Sequence, residues 1–268
     1  MIVVKTGGSE GVDLEAVCAD IAALVGSGEQ IVLVHGGSHE TNLISEKLGY
    51  PPRFVTSPSG YTSRYTDRQT LEILVMVEVG RINKMLVERL QSLGVNAIGL
   101  SGLDGRLLEA KRKETLPIVE QGKRKVLHGE YSGHIERVNA LLLQTLLTAG
   151  YVPVVAPLAI SHRHEALNVD GDRAAAAIGS ALKAQTVIIL SNVPGLLRDP
   201  TDETSLISRV PLSHAQEYLE RFAQGRMKRK MLGAIEAVME GVKRVIIADG
   251  RVVYPLRCAL AGQGTVIE

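Results

Sequence analysis

Short aliphatic runs alternate with stretches of helical spacing along most of the chain, and this alternation narrows the possible folds more than any other feature. The runs at 2–5, 30–35, 95–100, 151–155, 186–190 and 244–248 read as strands that are apolar throughout, as expected of strands buried on both faces. Between them, 14–25, 39–48, 66–91, 172–183, 213–223 and 228–240 read as helices, the longest entered through a Thr66-Asp67 cap. The pattern predicts an α/β fold with an open, mostly parallel central sheet covered on both faces. Residues 103–139 depart from it. Short β-prone pieces separated by Gly105, Gly122, Gly129 and Gly133 predict hairpins projecting from the main sheet. With no repeat, low-complexity tract or linker, the expectation is a single domain over 1–268, its sheet running through an N-lobe of about 1–165 and a C-lobe of about 166–268.

Composition removes several function classes. The chain is 45% hydrophobic yet has no Trp, two Phe and seven Tyr, so the core must be aliphatic. A net charge of +1 lacks the basic excess that marks nucleic-acid binding. Cys18 and Cys258 have no metal-ligand spacing and read as reduced, inert thiols of a cytoplasmic protein. Lys5 interrupts the only apolar N-terminal run, so no secretory signal is expected. The apolar stretch 141–160 is punctuated by Gln144, Gly150, Pro153 and Pro157, and reads as helix, turn and buried strand rather than a membrane span.

Two lysines more than two hundred residues apart point to chemistry. Lys5 ends the first strand and is followed at once by Thr6-Gly7-Gly8-Ser9; Lys230 closes Gly225-Arg226-Met227-Lys228-Arg229-Lys230 ahead of an amphipathic helix. A buried strand ending in a cation and then bare backbone is costly unless an anion sits there, and glycine turns let backbone N–H groups approach phosphate oxygens. A second such turn, Gly36-Gly37-Ser38, follows the second strand. Together they predict phosphoryl transfer at the carboxyl ends of neighbouring strands. No Gly-x4-Gly-Lys-Ser/Thr loop and no Gly-x-Gly-x-x-Gly fingerprint occurs, which removes P-loop and Rossmann readings. Gly7-Gly8-Ser9-Glu10-Gly11 imitates a serine-hydrolase elbow. However, its Ser9 follows the first strand, and the His35-Gly36-Gly37 segment that would form the oxyanion hole comes after it rather than before.

Three further clusters supply candidates. In Asn168-Val169-Asp170-Gly171-Asp172, the bland reading makes Asp172 a helix N-cap. The functional reading has Asp172 hold both lysines while Asn168 donates its amide to substrate, since a buried lysine needs a counter-charge to stay protonated. Arg64, before Tyr65-Thr66-Asp67, is a candidate for a bidentate pair with a substrate carboxylate. Ser191 and Asn192, at the end of a strand, suit ribose or adenine contacts. Finally, Lys111-Arg112-Lys113 and Lys123-Arg124-Lys125 gather positive charge on one hairpin region. There they could steer an acidic protein partner or simply protect a strand edge.

Taken in order from residue 2 to Gly264-Thr265-Val266-Ile267, these segments resemble the amino-acid kinase family, in its acetylglutamate kinase branch. Lys5-Thr-Gly7-Gly8 resembles the family's first phosphate loop, and Gly36-Gly37 its acyl-substrate loop. Arg64-Tyr-Thr-Asp resembles the segment gripping the substrate's α-carboxylate, and Asn168-x-Asp170-x-Asp172 the motif that binds substrate and organises the lysines. Leu-Ser191-Asn192-Val-x-Gly resembles the nucleotide segment usually written Leu-Thr-Asp-Val-x-Gly, and Gly225-x-Met227-x-x-Lys230 resembles the loop supplying the second lysine. Ser38, Asp170 and Arg229 stand where acetylglutamate kinases carry Gly, Asn and Pro. They resemble instead the sister kinases of lysine synthesis, which act on 2-aminoadipate attached through its amine to a small acidic carrier protein.

The resemblance implies a three-layer α/β/α sandwich, ATP as phosphoryl donor and Mg²⁺ bridging its phosphates without direct protein ligands. It also implies a homodimer through the helix at 66–91, and a carboxylate acceptor that becomes an acyl phosphate. Lys5, Lys230 and Asp172 would be catalytic. Gly36, Gly37, Arg64 and Asn168 would bind the acyl substrate, and Gly7, Gly8, Ser191, Asn192 and Met227 the nucleotide. Carrier docking would fall to Lys111, Arg112, Lys113, Lys123, Arg124 and Lys125. An acetylglutamate kinase of arginine synthesis, an enzyme serving both pathways, and a non-catalytic nucleotide or amino-acid sensor stay open.

Overall fold

The computed structural model describes residues 1–8, 11–58 and 60–268. Ser9, on which the hydrolase reading turned, lies outside them. Strand β1 (Ile2–Thr6) leads through α1 (Leu14–Gly26) to β2 (Ile31–His35) and α2 (Ser38–Lys47). A short hairpin, β3 (Phe54–Thr56) and β4 (Thr62–Arg64), precedes α3 (Arg68–Leu74), a π-helical turn (Val75–Ile82) and α4 (Asn83–Ser92), which form one long helix. Next come β5 (Ala97–Ser101), β6 (Leu108–Arg112), β7 (Thr115–Glu120), β8 (Lys123–His128) and β9 (Gly133–Val138), then α5 (Ala140–Thr148). Strands β10 (Val152–Ala156), β11 (Leu158–Ile160) and β12 (Ala166–Asn168) lead into α6 (Gly171–Ala181) and β13 (Thr186–Ser191). The chain finishes with β14 (Arg209–Val210), α7 (Ala215–Phe222), α8 (Gly225–Met239), β15 (Arg244–Asp249), α9 (Pro255–Leu260) and β16 (Thr265–Ile267).

Eight strands form one sheet in the order β14-β16-β15-β13-β1-β2-β10-β5, parallel except for the antiparallel β15–β16 pair. Alternate residues of each strand serve opposite faces. Val3, Val34, Ile189 and Ile247 pack with α5, α6, α7 and α8 in one cluster. Val4, Leu33, Ile188 and Ile246 pack with α1, the long helix and α9 in the other. Two separate helical layers thus cover the sheet, which makes the strands continuous aliphatic runs and the fold a three-layer sandwich. No helix among the described residues is long and apolar enough to cross a membrane; 141–160 splits into α5, β10 and β11. Both cysteines are free, and burial pushes the Cys18 thiol up to about 11, out of reach of ordinary redox chemistry.

Residues 103–139 build more than projecting hairpins. They contribute to two further four-stranded sheets, β12-β11-β6-β9 and β4-β3-β7-β8. The first joins β6 and β9 to strands from residues 158–168, and the second joins the β7–β8 hairpin to β3 and β4. The hairpin turns at Gln121 and Gly122, both at positive φ as a tight two-residue turn requires. Three expected helix details also change. The long helix carries the π-helical turn, in which the Asn83 amide donates to the Glu78 carbonyl, five residues back. Helix α8 starts at Gly225, so Gly225–Lys230 forms its opening turns rather than a loop before it. Helix α6 is capped by Asp170, whose carboxylate accepts from the amides of Asp172 and Arg173 at 3.0 and 3.1 Å, which leaves the Asp172 side chain free to turn inward.

Candidate active site

Lys5 lies on a central strand of the sheet, one residue before β1 ends, with Val34 of β2 and Ile189 of β13 as its register partners. Nothing polar is available within that aliphatic setting, so the ammonium group must find a partner beyond the strand ends. It does so at Asp172, whose Oδ1 is 2.7 Å from Lys5 Nζ. Lys230, in the second turn of α8, reaches the same carboxylate at 3.2 Å to Oδ2 and 3.4 Å to Oδ1. All three side chains are at most 11% exposed. Burial alone would raise the Asp172 carboxyl, but the two ammonium groups outweigh it and hold the group well below the usual carboxylate range. Lys230 moves the other way: burial, then repulsion from Lys5, brings it down to about 8 against the pull of Asp172.

The two glycine turns meet beside this triad. A methyl group on Gly8 would stand 2.2 Å from the Gly37 nitrogen, and one on Gly36 would stand 2.8 Å from the Gly8 nitrogen. Only hydrogen fits at either position. The amides divide their work. Gly36 N–H continues the β-ladder by donating to the Thr6 carbonyl at 3.1 Å, so it is not available to a phosphate as the sequence suggested. Those of Gly7, Gly8 and Gly37 have no backbone acceptor among the described residues, and α2 begins at the next residue, Ser38. Its positive dipole end therefore adds to the same spot.

A cavity of about 850 Å³ opens in front of the triad. Arg64, at the end of β4, enters it with Nη2 donating to the Ser38 carbonyl at 3.0 Å, while Nη1 is buried and has no hydrogen-bond partner among the described residues. Burial lowers the guanidinium's pKa and the nearby Glu78 carboxyl opposes that shift. Asn168, on β12, spends one amide hydrogen on Thr66 Oγ1 at 3.0 Å, leaving its second hydrogen and its carbonyl oxygen for a ligand. Ser191 and Asn192, at the carboxyl end of β13, and Met227, in the first turn of α8, also line the cavity.

The basic triplets fall on strands of two different small sheets rather than on one hairpin. Lys111 and Arg112 belong to β6, and Lys123 to Lys125 belong to β8 of the other small sheet. Arg112 is fully engaged: it donates to the Glu130 carbonyl at 2.7 Å and to Glu165 Oε1 at 2.6 Å, and it stacks 3.7 Å from the Tyr131 ring. These contacts brace β6 internally. Lys111, Lys123 and Arg124 are exposed, and Lys125 is exposed and paired with Glu120 at 2.5 Å. Lys113 is exposed and lines the cavity.

Sequence reasoning missed two contributors. Glu78 lies on the long helix within an otherwise apolar face, and no local pattern separates it from a solvated charge. Arg229, noticed only as the residue before Lys230, donates to the Thr62 carbonyl at 3.1 Å and lies 3.9 Å from Asp170, tying α8 to β4 across the cavity.

Residues 1–249 match the amino acid kinase family. A protein of Deinococcus radiodurans named LysW-aminoadipate kinase is 60% identical over 268 residues, covering 100% of this chain and 91% of the relative. One of Thermus thermophilus with the same name is 55% identical over 270 residues and covers both chains fully. Among solved structures, an N-acetylglutamate synthase from Neisseria gonorrhoeae superposes with a TM-score of 0.80 at 26% identity, over 99% of this chain and 58% of its own. The carbamate kinase of Giardia lamblia bound to AMP-PNP gives 0.68 at 17% identity, covering 99% and 97%, and shares the fold. With a match over most of its length and relatives this similar, the chain belongs to the amino acid kinase family.

Proposed function

We propose that this enzyme transfers the γ-phosphoryl group of ATP to the side-chain carboxylate of 2-aminoadipate carried on a small acidic protein, giving an acyl phosphate. One observation carries the reading: a single carboxylate holds two buried ammonium groups side by side, next to glycine turns with free amides. An acceptor carboxylate is already ionised near neutrality, so the reaction needs no general base. What it needs is the approach of two anions in line and neutralisation of charge on the transferred group. Lys5 and Lys230 supply that charge, and Asp172 holds both ammonium groups in position. The amides of Gly7, Gly8 and Gly37 donate to phosphate oxygens, while Gly36 allows the two turns to touch. Arg64 grips the non-reacting carboxylate with its unpartnered Nη1, Asn168 adds a donor, and Ser191, Asn192 and Met227 border the nucleotide.

Among the described residues no three His, Cys, Asp or Glu side chains converge as a metal site. Asp172 is the residue that would help hold Mg²⁺ beside the nucleotide, where the ion would supply charge neutralisation for the phosphates. Cytoplasmic residence fits the free thiols. A homodimer through the long helix is supported by Met76 and Met85, which are 56% and 52% exposed on it. Carrier docking is assigned to Lys111, Lys113, Lys123, Arg124 and Lys125, without Arg112. Trapping of the acyl phosphate by hydroxylamine tests the substrate. Carrier-linked aminoadipate is expected to exceed free N-acetylglutamate by roughly a hundredfold or more in kcat/KM. The reverse order would assign the arginine branch, and no ATP-dependent hydroxamate from either acid would end the kinase reading.

A further inference from the structure

The long helix brings to the cavity a group for which phosphoryl transfer has no use. Glu78 belongs to the π-helical turn, a distortion that inserts a residue into the helix and often marks a functional position. The residue is 5% exposed and lines the same cavity as Arg64 and Lys5. It packs into the space left by Gly37, where a methyl group would stand 2.7 Å from Glu78 Cγ. Among the described residues the Glu78 carboxyl makes no hydrogen bond and no ion pair. Arg64 Nη1 is likewise buried and unpartnered. A buried carboxyl and a buried guanidinium nitrogen are both costly to leave unsatisfied, and here both border one ligand space.

The surroundings set the charge balance. Arg64 comes from β4 and Lys5 from β1, the latter backed by Asp172 and Lys230. On α2, Glu40 is paired with Arg81 and His39 is exposed. The β2 residue His35 is buried and pushed down to about 4, so it stays neutral. On α4, Lys84 donates to the Gly99 carbonyl and to Asn83, and on α3, Arg68 pairs with Glu72 at the surface. Strand β5 carries no charged residue. Burial raises the Glu78 carboxyl to about 7, with Arg64 and Lys5 opposing. A diacid bound here brings a second carboxylate into the cavity that Glu78 and Arg64 both line, and two carboxylates sharing one site do not both stay ionised.

We infer that Glu78 is a substrate-discriminating residue of this site: as a neutral acid it donates its O–H to the non-reacting carboxylate held by Arg64, and as an anion it competes with that carboxylate for Arg64. The inference rests on the kinase reading above and goes beyond it. It selects diacids over monoacids through two donors to the non-reacting carboxylate, and it makes substrate affinity depend on one proton that the chemical step does not use.

The test is the pH dependence of KM for carrier-linked aminoadipate at saturating ATP and Mg²⁺, in the parent and in Glu78→Gln, whose amide keeps a donor but cannot ionise. In the parent, KM is expected to rise about tenfold from pH 6 to pH 8, with the inflection near 7. In the variant it should stay within about twofold over that range, while kcat follows the parent's pH profile. An equal rise in both proteins would assign the titration to another group and overturn the inference. So would a flat KM in the parent, which needs no variant and decides the matter if Glu78→Gln fails to fold. Failure of the kinase reading looks different: no hydroxamate forms at any pH.

Discussion

Asp172 concentrates the chemistry in a few atoms. It is one carboxylate shared by two lysines, so either lysine loses its position if that carboxylate loses its charge. Lys230→Ala and Asp172→Asn are therefore expected to lower kcat by about two to four orders of magnitude. Arg64→Ala should instead raise KM about tenfold or more with a smaller change in kcat, and steady-state kinetics separate the two classes. The lowered pKa of Lys230 gives a sign to the pH profile. The ammonium form is present below about 8 and is lost above it, so kcat/KM falls on the alkaline side through the free enzyme's Lys230. In the Glu78→Gln background this limb should stand alone, beginning near 8 rather than 7. A kcat/KM that is flat to pH 10 in that background would remove Lys230's charge from the mechanism. At this scale the sequence was informative about Lys5, Asp172 and Lys230, because a buried cation demands an anion. It was silent about Glu78, because its burial comes from packing against a glycine forty-one residues earlier in the chain.

Turns and helix ends decide how those residues are presented. The Gly8 and Gly36-Gly37 turns touch through backbone atoms, so a Cβ has nowhere to go at Gly8. Gly8→Ala is expected to force the turns apart and lower stability by about 1–3 kcal/mol. It should cut kcat/KM by roughly a hundredfold or more, as the amides leave their positions. Thermal melting and the hydroxamate assay check both, and a variant with parental kinetics would show that the cradle is not needed. Helix starts were the less legible part. Asp170 rather than Asp172 caps α6, which is what points Asp172 at the lysines; two acids two residues apart look interchangeable as caps until the backbone is in place. Likewise α8 begins at Gly225, a residue at positive φ, so the cationic stretch 225–230 reads locally as loop and folds as helix. The π-helical turn leaves no mark in a pattern whose apolar spacing differs from an α-helix by one residue.

Across the whole molecule, the eight-stranded sheet delivers Lys5 to the point that α6 and α8, packed on the same face of the sheet, also reach. Two smaller sheets roof the cavity, and the charge distribution on them bears on the carrier. Lys123→Glu with Arg124→Glu is expected to raise KM for the carrier-linked substrate about tenfold and to weaken its salt dependence, with little effect on a free N-acetyl acid. Arg112→Ala should act differently, destabilising the fold by about 2 kcal/mol through its lost Glu165 and Tyr131 contacts. If the paired charge reversal leaves the carrier's KM unchanged, β8 is a protected edge and nothing more. Strand and helix order, the aliphatic core, the two cationic segments and their shared acid could all be read along the chain. They depend on local periodicity and on the cost of isolated charge, which are properties of short stretches. Which basic residues stay free, which acid caps and which acid binds, and that Glu78 lies beside Arg64 were settled by contacts between distant segments. Those contacts exist only once the sheets have closed around the cavity.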